Sequence, residues 1–291
     1  MASKVEVSKA ELMYRAQMMG ELKSILLAVD GSEYSSGAVK EALLFARHCN
    51  VKLTLLYVLG LSDGFETGGL TFVEQMDPTH TEYFDGIREE AADSNVELDI
   101  IIRRTSEAYV GIIDEAMEKQ SDVIVMGRRG ITGLKRVLMG SVTAKVIAYA
   151  PCKVLVVPKD TEIKGEIILF ATDGSESSVA AEREAINMAS RCPFVKQLLV
   201  TSVAAHQDKL KEANDILDKV RKNAESRGVK IEALPLVGDP YKAIVNLSME
   251  SGADIIVMGT HGRTGLERLL MGSVAERVTA LAMCSSLVVK N

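Results

Sequence analysis

The chain of 291 residues has no apolar run approaching the roughly 20 residues that cross a bilayer, so no membrane-spanning helix is expected. It has no basic run either, and its net charge is −6. A nucleic-acid partner would call for a basic patch matched to phosphates, so none is expected. The N-terminus lacks the apolar core of a signal peptide, and the default expectation is a cytoplasmic protein. Only four cysteines occur, Cys49, Cys152, Cys192 and Cys284, and none has the C-x-x-C spacing of a zinc or redox site. They read as buried, reduced thiols. The rest is 47% hydrophobic and 25% charged, an ordinary globular balance over a length that suits two domains.

Against these absences stands a repeated motif. Gly127-Arg128-Arg129-Gly130 is followed after nine residues by Gly140-Ser141, and Gly259-Thr260-His261-Gly262 after nine by Gly272-Ser273. Every element of the second copy lies 132 positions beyond its counterpart, the mark of a duplicated unit. Each copy follows an apolar run, Val123–Met126 or Ile255–Met258, and each precedes a helical pattern. A second pair, Asp30-Gly31-Ser32 and Asp173-Gly174-Ser175, is offset by 143. The second unit is therefore eleven residues shorter in between, most simply where the first carries its polar, glycine-containing segment 60–80.

Within the first unit, hydrophobic periodicity predicts strands at 24–29, 52–58, 97–103, 122–126 and 153–157, with helices at 32–48, 82–93, 107–119 and 141–149. Ser32, Ser35 and Ser36 offer caps for the first helix. In the second unit, strands are expected at 167–172, 197–203, 230–237, 254–258 and 286–289, with helices at 178–190, 208–227, 240–251 and 273–282. A further helix is expected over 10–20. Alternating strands and helices, with continuously apolar strands, predict an α/β fold: two tandem open-sheet, Rossmann-like domains, each a five-stranded parallel sheet with helices on both faces. The expected division is an extension 1–22, a first domain 23–158, a linker 159–165 and a second domain 166–291. Ligands in such sheets lie at the carboxyl ends of the strands, so Asp30 should face the first glycine loop and Asp173 the second if the strands preceding them are neighbours.

The residue types suggest phosphate binding. Gly127 and Gly130 allow a tight turn and a close backbone approach. The amides of Ser141, Val142 and Thr143 open a helix and are not used within it, and the Ser141 hydroxyl adds a donor. Asp30 would repel a phosphate, but it suits ribose hydroxyls or a bridging divalent metal. Arginine in the first loop either contacts phosphate or is solvated, and both readings stay open. Met126 and Met258, which end the apolar runs and recur by the repeat, read as pocket wall or core.

Asp30-Gly31-Ser32-Glu33, the Gly-x-x-Gly-x9-Gly-Ser loop and the run Ala150–Val157 resemble the universal stress protein family. In the second unit, Asp173–Glu176, Val237–Pro240, Gly259–Gly262 and Gly272–Val274 resemble it as well. The resemblance covers all but the first 22 residues and implies the tandem, nucleotide-binding form. It places adenine near Ala28, Val29 and Val58, and ribose at Asp30 and Gly127. Phosphates fall at Arg129, Gly130, Gly140, Ser141, Val142 and Thr143. The matching residues of the second unit are Ala171, Thr172, Asp173, Val203, Gly259, His261, Gly262, Gly272, Ser273, Val274 and Ala275. The implied ligand is ATP, ADP or AMP, with Mg2+ or Mn2+ admitted through its phosphates. The last strands, 153–157 and 286–289, would meet as an intramolecular pseudo-dimer, and further association into a homodimer is open.

Neither loop is followed by a Walker lysine, no water-activating acid is evident, and no arginine finger occurs in both copies. The sequence therefore favours a nucleotide-responsive regulator with a protein partner not identifiable from sequence. A slow ATP hydrolase or adenylyl-transferring enzyme and a scaffold with vestigial loops are the alternatives.

Overall fold

A computed structural model describes residues 18–60, 78–130, 139–262 and 271–290. The first unit runs β1 (Ile25–Val29), α1 (Ser36–Cys49), β2 (Leu53–Gly60), α2 (Pro78–Asp93), β3 (Leu98–Thr105), α3 (Ala108–Glu118), β4 (Val123–Gly127), α4 (Ser141–Tyr149) and β5 (Lys153–Val157). The second runs β6 (Ile167–Ala171), α5 (Glu176–Arg191), β7 (Gln197–Ala204), α6 (Leu210–Glu225), β8 (Glu232–Val237), α7 (Pro240–Ser251), β9 (Ile255–Gly259), α8 (Ser273–Leu281) and β10 (Ser285–Val289). All the strands expected from periodicity are present. The expected helix over 10–20 falls mostly on residues outside those described, and so does segment 60–80.

The strands form one sheet in the order β3-β2-β1-β4-β5-β10-β9-β6-β7-β8. Each half is parallel, and the only antiparallel pairing among the described strands is the seam between β5 and β10, with Leu155 opposite Leu287. The two five-stranded sheets are thus continuous through their last strands. The central strands are buried on both faces because helices cover both sides, and their Ile, Leu and Val residues favour the pleat. In β1, residues of alternate parity feed two apolar clusters: Ile25 and Leu27 one, Leu26 and Ala28 the other.

One feature departs from the sequence reading. The first helix does not begin on a serine side-chain cap: Ser32 and Ser35 precede a 3-10 turn (Glu33–Ser35) and α1, and neither side chain caps. Instead the Ser35 hydroxyl donates to the Ser32 carbonyl at 2.8 Å. The linker 159–165 is anchored: Ile163 is buried and its amide donates to the buried Glu41 carboxylate at 2.8 Å.

None of the four cysteines forms a disulfide, but only Cys192 is fully buried, a correction to the expectation for Cys49, Cys152 and Cys284. Partial burial still pushes the Cys152 thiol up to about 12 and the Cys284 thiol up to about 11, with desolvation as the main cause. Since the thiolate is the nucleophile, alkylation of either at pH 8 should run at least ~100-fold slower than that of an unperturbed thiol. Mass-spectrometric timing of iodoacetamide labelling on the folded protein checks this, and rapid labelling at Cys152 would contradict it.

Candidate functional site

β1 lies between β2 and β4, and Ala28 is in register with Met126. Asp30 therefore leaves the sheet beside the loop that begins at Gly127. The second unit repeats this through the β6–β9 pair. Gly31 and Gly174 both have positive φ, +78° and +72°, which lets the chain turn sharply just beyond each aspartate. The turn closes on the aspartate itself: Asp30 Oδ1 accepts from the Ser32 amide at 3.1 Å and hydroxyl at 2.7 Å, and Asp173 Oδ1 accepts from the Ser175 amide at 3.0 Å. The other oxygen of each carboxylate is aimed at the glycine loop. A Cβ placed on Gly130 would stand 2.4 Å from Asp30 Oδ2, and one on Gly262 2.7 Å from Asp173 Oδ2.

The loop is closed identically in both units. The Gly140 amide donates to the Arg128 carbonyl at 3.0 Å, and the Gly272 amide to the Thr260 carbonyl at 2.8 Å. Gly140 and Gly272 are the N-caps of α4 and α8, with extended backbone and no side-chain cap. The first helical bond forms from Ala144 to Gly140 and from Glu276 to Gly272, each at 3.0 Å. The preceding amides, 141–143 and 273–275, have no partner within their helices and stand at the positive end of the dipole.

These parts surround a cavity in each unit. The first, about 220 Å³, is lined by Ala28, Val29, Asp30, Val58, Met126, Gly127, Arg129, Gly130 and Gly140–Thr143. The second, about 270 Å³, is lined by Ala171, Thr172, Asp173, Val203, Met258, Gly259, His261, Gly262 and Gly272–Ala275. The residues that the resemblance assigned to the first site line the first cavity, and those assigned to the second site line the second. Sequence reasoning missed Ser35, Ala108 and Ile112 in the first, and Ser178, Thr201, Pro240, Ile244 and Thr260 in the second. Ser35 and Ser178 share the 143 offset, and Ile112 and Ile244 the 132 offset, so the repeat itself held the signal.

The walls differ. Thr172 and Ser178 pair at 3.0 Å in the second cavity, where the first has Val29 and Ser35. Beside the first aspartate, Tyr57 hydroxyl meets His80 Nε2 at 2.7 Å, and burial followed by the Asp30 charge raises the Tyr57 hydroxyl above the usual phenol range. His261 Nδ1 is 2.9 Å from the Thr260 hydroxyl. Arg128 and Arg129, adjacent in the chain, part company: Arg129 lines the cavity, while Arg128 is half-buried and donates to the Ala282 carbonyl of the other unit. Arg128 therefore reaches the other unit, while Arg129, the arginine that the resemblance assigned to phosphate, lines the cavity.

The chain is similar to several known proteins. Universal stress protein MJ0531 of Methanocaldococcus jannaschii is 44% identical across 42% of this chain and 81% of its own length. Slr1230 of Synechocystis, another universal stress protein, is 25% identical across 88% of this chain and 96% of its own. A universal stress protein structure from Archaeoglobus fulgidus superposes with a TM-score of 0.69 at 21% identity, covering 93% of this chain and 97% of that one. The model of the universal stress protein family matches twice, at 21–158 and at 165–290. With nearly the whole length matched in two successive copies, the chain belongs to the universal stress protein family.

Proposed function

We propose that each unit binds one adenine nucleotide and that the protein works as a nucleotide-responsive regulator in a stress response. The observation that carries this is a convergence seen twice: an aspartate carboxylate, a glycine turn and unused helix amides all face one cavity. Oriented amides at a positive helix end suit phosphate oxygens. A carboxylate held by its own turn suits vicinal hydroxyls, as on ribose. Apolar walls from Ala28, Val58 and Ile112, or Ala171, Val203 and Ile244, suit a flat base. Mg2+ or Mn2+ would enter with the phosphates, and the residues present would leave it largely to the nucleotide and solvent. Arg129 in the first cavity and His261 in the second give the two sites different preferences among ATP, ADP and AMP. The proposed domains are 23–158 and 166–291, joined by 159–165.

The test begins with untreated purified protein, which is denatured and filtered, and any released nucleotide is identified by chromatography. One or two equivalents per chain are expected. Asp30→Ala and Asp173→Ala should each remove one equivalent and weaken that site by roughly 10- to 100-fold, the scale of a lost charge-assisted hydrogen bond. No released nucleotide, with no calorimetric binding of added ATP and magnesium, would sink the reading. Equal affinities for the three nucleotides at both sites would sink the difference in preference. Turnover lost in the double variant would move the reading to a slow hydrolase.

A further inference from the structure

We infer that Arg128 is a positioning residue for the second cavity: it ties the first glycine loop to the carbonyl end of the helix whose amino end forms that cavity, and so couples binding at the two sites. The inference rests on the nucleotide reading above.

The geometry is a relay with no gap. Arg128 sits between Gly127 and Arg129, both lining the first cavity. Its guanidinium crosses the seam to the carbonyl of Ala282, the residue that caps the end of α8. The other end of α8, some 13 Å away at 1.5 Å per residue, presents Gly272, Ser273 and Val274 to the second cavity. A rigid helix of nine residues therefore has its amino end in one site and its carbonyl end held from the other.

The reverse arm is built from a different residue. Lys290 follows Val289, whose register partner is Gly259, the start of the second glycine loop. Its ammonium donates to the carbonyl of Ala148 in the last turn of α4, and the amino end of α4 lines the first cavity. Neither cation is repeated: the position matching Arg128 is Thr260, and that matching Lys290 is Pro158. Duplication alone thus does not explain the pair, although each site helix ends up held from the opposite unit.

The sign of the coupling follows from charge. Arg128 is desolvated, and the neighbouring Arg129 further disfavours its positive charge. A phosphate beside Arg129 neutralises that repulsion and strengthens the hold of Arg128 on Ala282. A cation at the carbonyl end of α8 complements the helix dipole, whose opposite end receives the second phosphate. Latched and released Arg128 are the two states, and anion in the first cavity favours the latched one. Occupancy of either site therefore favours the other, because binding linkage is reciprocal.

Calorimetry with ATP tests this on the full chain. Asp173→Ala reports the first site alone, Asp30→Ala the second, and the unaltered protein both. Two-site binding should be about three- to tenfold tighter than the product of the single-site constants. Arg128→Thr should remove that factor and weaken the second site even when the first is silenced, whereas Arg128→Lys should keep part of it. Lys290→Met should weaken the first site with the second silenced, which carries the test if Arg128→Thr does not fold. Two sites that bind ATP with the same constants whatever stands at 128 and 290 would overturn the coupling and leave the nucleotide reading intact. An unaltered chain that binds no ATP overturns both.

Discussion

Gly259→Ala should destabilise the protein by about 2–3 kcal/mol, while Gly262→Ala, three residues on, should cost little stability and abolish most binding at the second site. The two glycines look alike in sequence, each in a turn before a helix, and neither has a positive φ. What separates them is what a methyl group would meet. At Gly259 it would stand 2.6 Å from the Ser177 carbonyl oxygen and 2.9 Å from its carbon. That is main chain at the start of α5, and it cannot swing aside. At Gly262 the methyl would meet the Asp173 carboxylate, a side chain that can rotate away. Rotation, however, breaks the bond from the Ser175 amide and removes the carboxylate from the cavity. Thermal unfolding should separate the two, with Gly259→Ala melting roughly 5–10 °C lower and Gly262→Ala close to the unaltered chain. ATP titration should give the reverse ranking. Gly127 and Gly130 form the matching pair, Gly127 against the Tyr34 carbonyl at 2.8 Å and Gly130 against Asp30. If Gly259→Ala melted normally and lost only nucleotide, the packing role would be wrong.

That contrast shows where the sequence could be read and where it could not. Apolar runs such as Val123–Met126 and Ile255–Met258 identify central strands because burial on both faces leaves no polar positions along them. The offsets of 132 and 143 carry the cavity linings across from one unit to the other. Local pattern fails where a residue's partner is remote in the chain. Asp122 accepts from the Lys23 and Ser24 amides at 2.6 and 2.9 Å, and Asp254 from those of Glu166 and Ile167 at 2.8 and 2.9 Å. These aspartates pin the starts of β1 and β6 to the starts of β4 and β9, yet in sequence each is only a polar residue before a strand. Arg128 is the sharper case: nothing local distinguishes an arginine that crosses to Ala282 from one that faces phosphate. The tight anchoring of 159–165 escaped for the same reason, since its polar composition hides the one buried isoleucine and its bond to Glu41.

Leu287→Asp should cost at least about 4 kcal/mol and break the single sheet into two halves that unfold separately. Leu287 lies at the middle of the antiparallel seam, opposite Leu155, and both are fully buried. It is also in register with Val257 of β9, so it belongs to the core of the second unit as well as to the seam. A carboxylate there has no partner among its apolar neighbours and must either stay protonated or draw the seam open. The first route gives a sign that can be checked. Burial raises the folded pKa of the new carboxyl above the unfolded value near 4, so the folded state holds the proton more tightly. Stability of Leu287→Asp should then fall as pH rises above about 4, and part of the loss should be recovered on acidification. Leu287→Asn, of nearly the same shape, should be destabilised without that added pH dependence. Opening the seam would expose β5 and β10 as bare edges, which invite pairing with other chains, so aggregation should accompany the lower-stability transition. The unaltered chain should unfold in one step in urea, because the strands on either side of the seam share one buried layer. A Leu287→Asp chain that unfolded in the same single step, with unchanged midpoint at pH 7, would mean that the two units do not depend on their common strand pair.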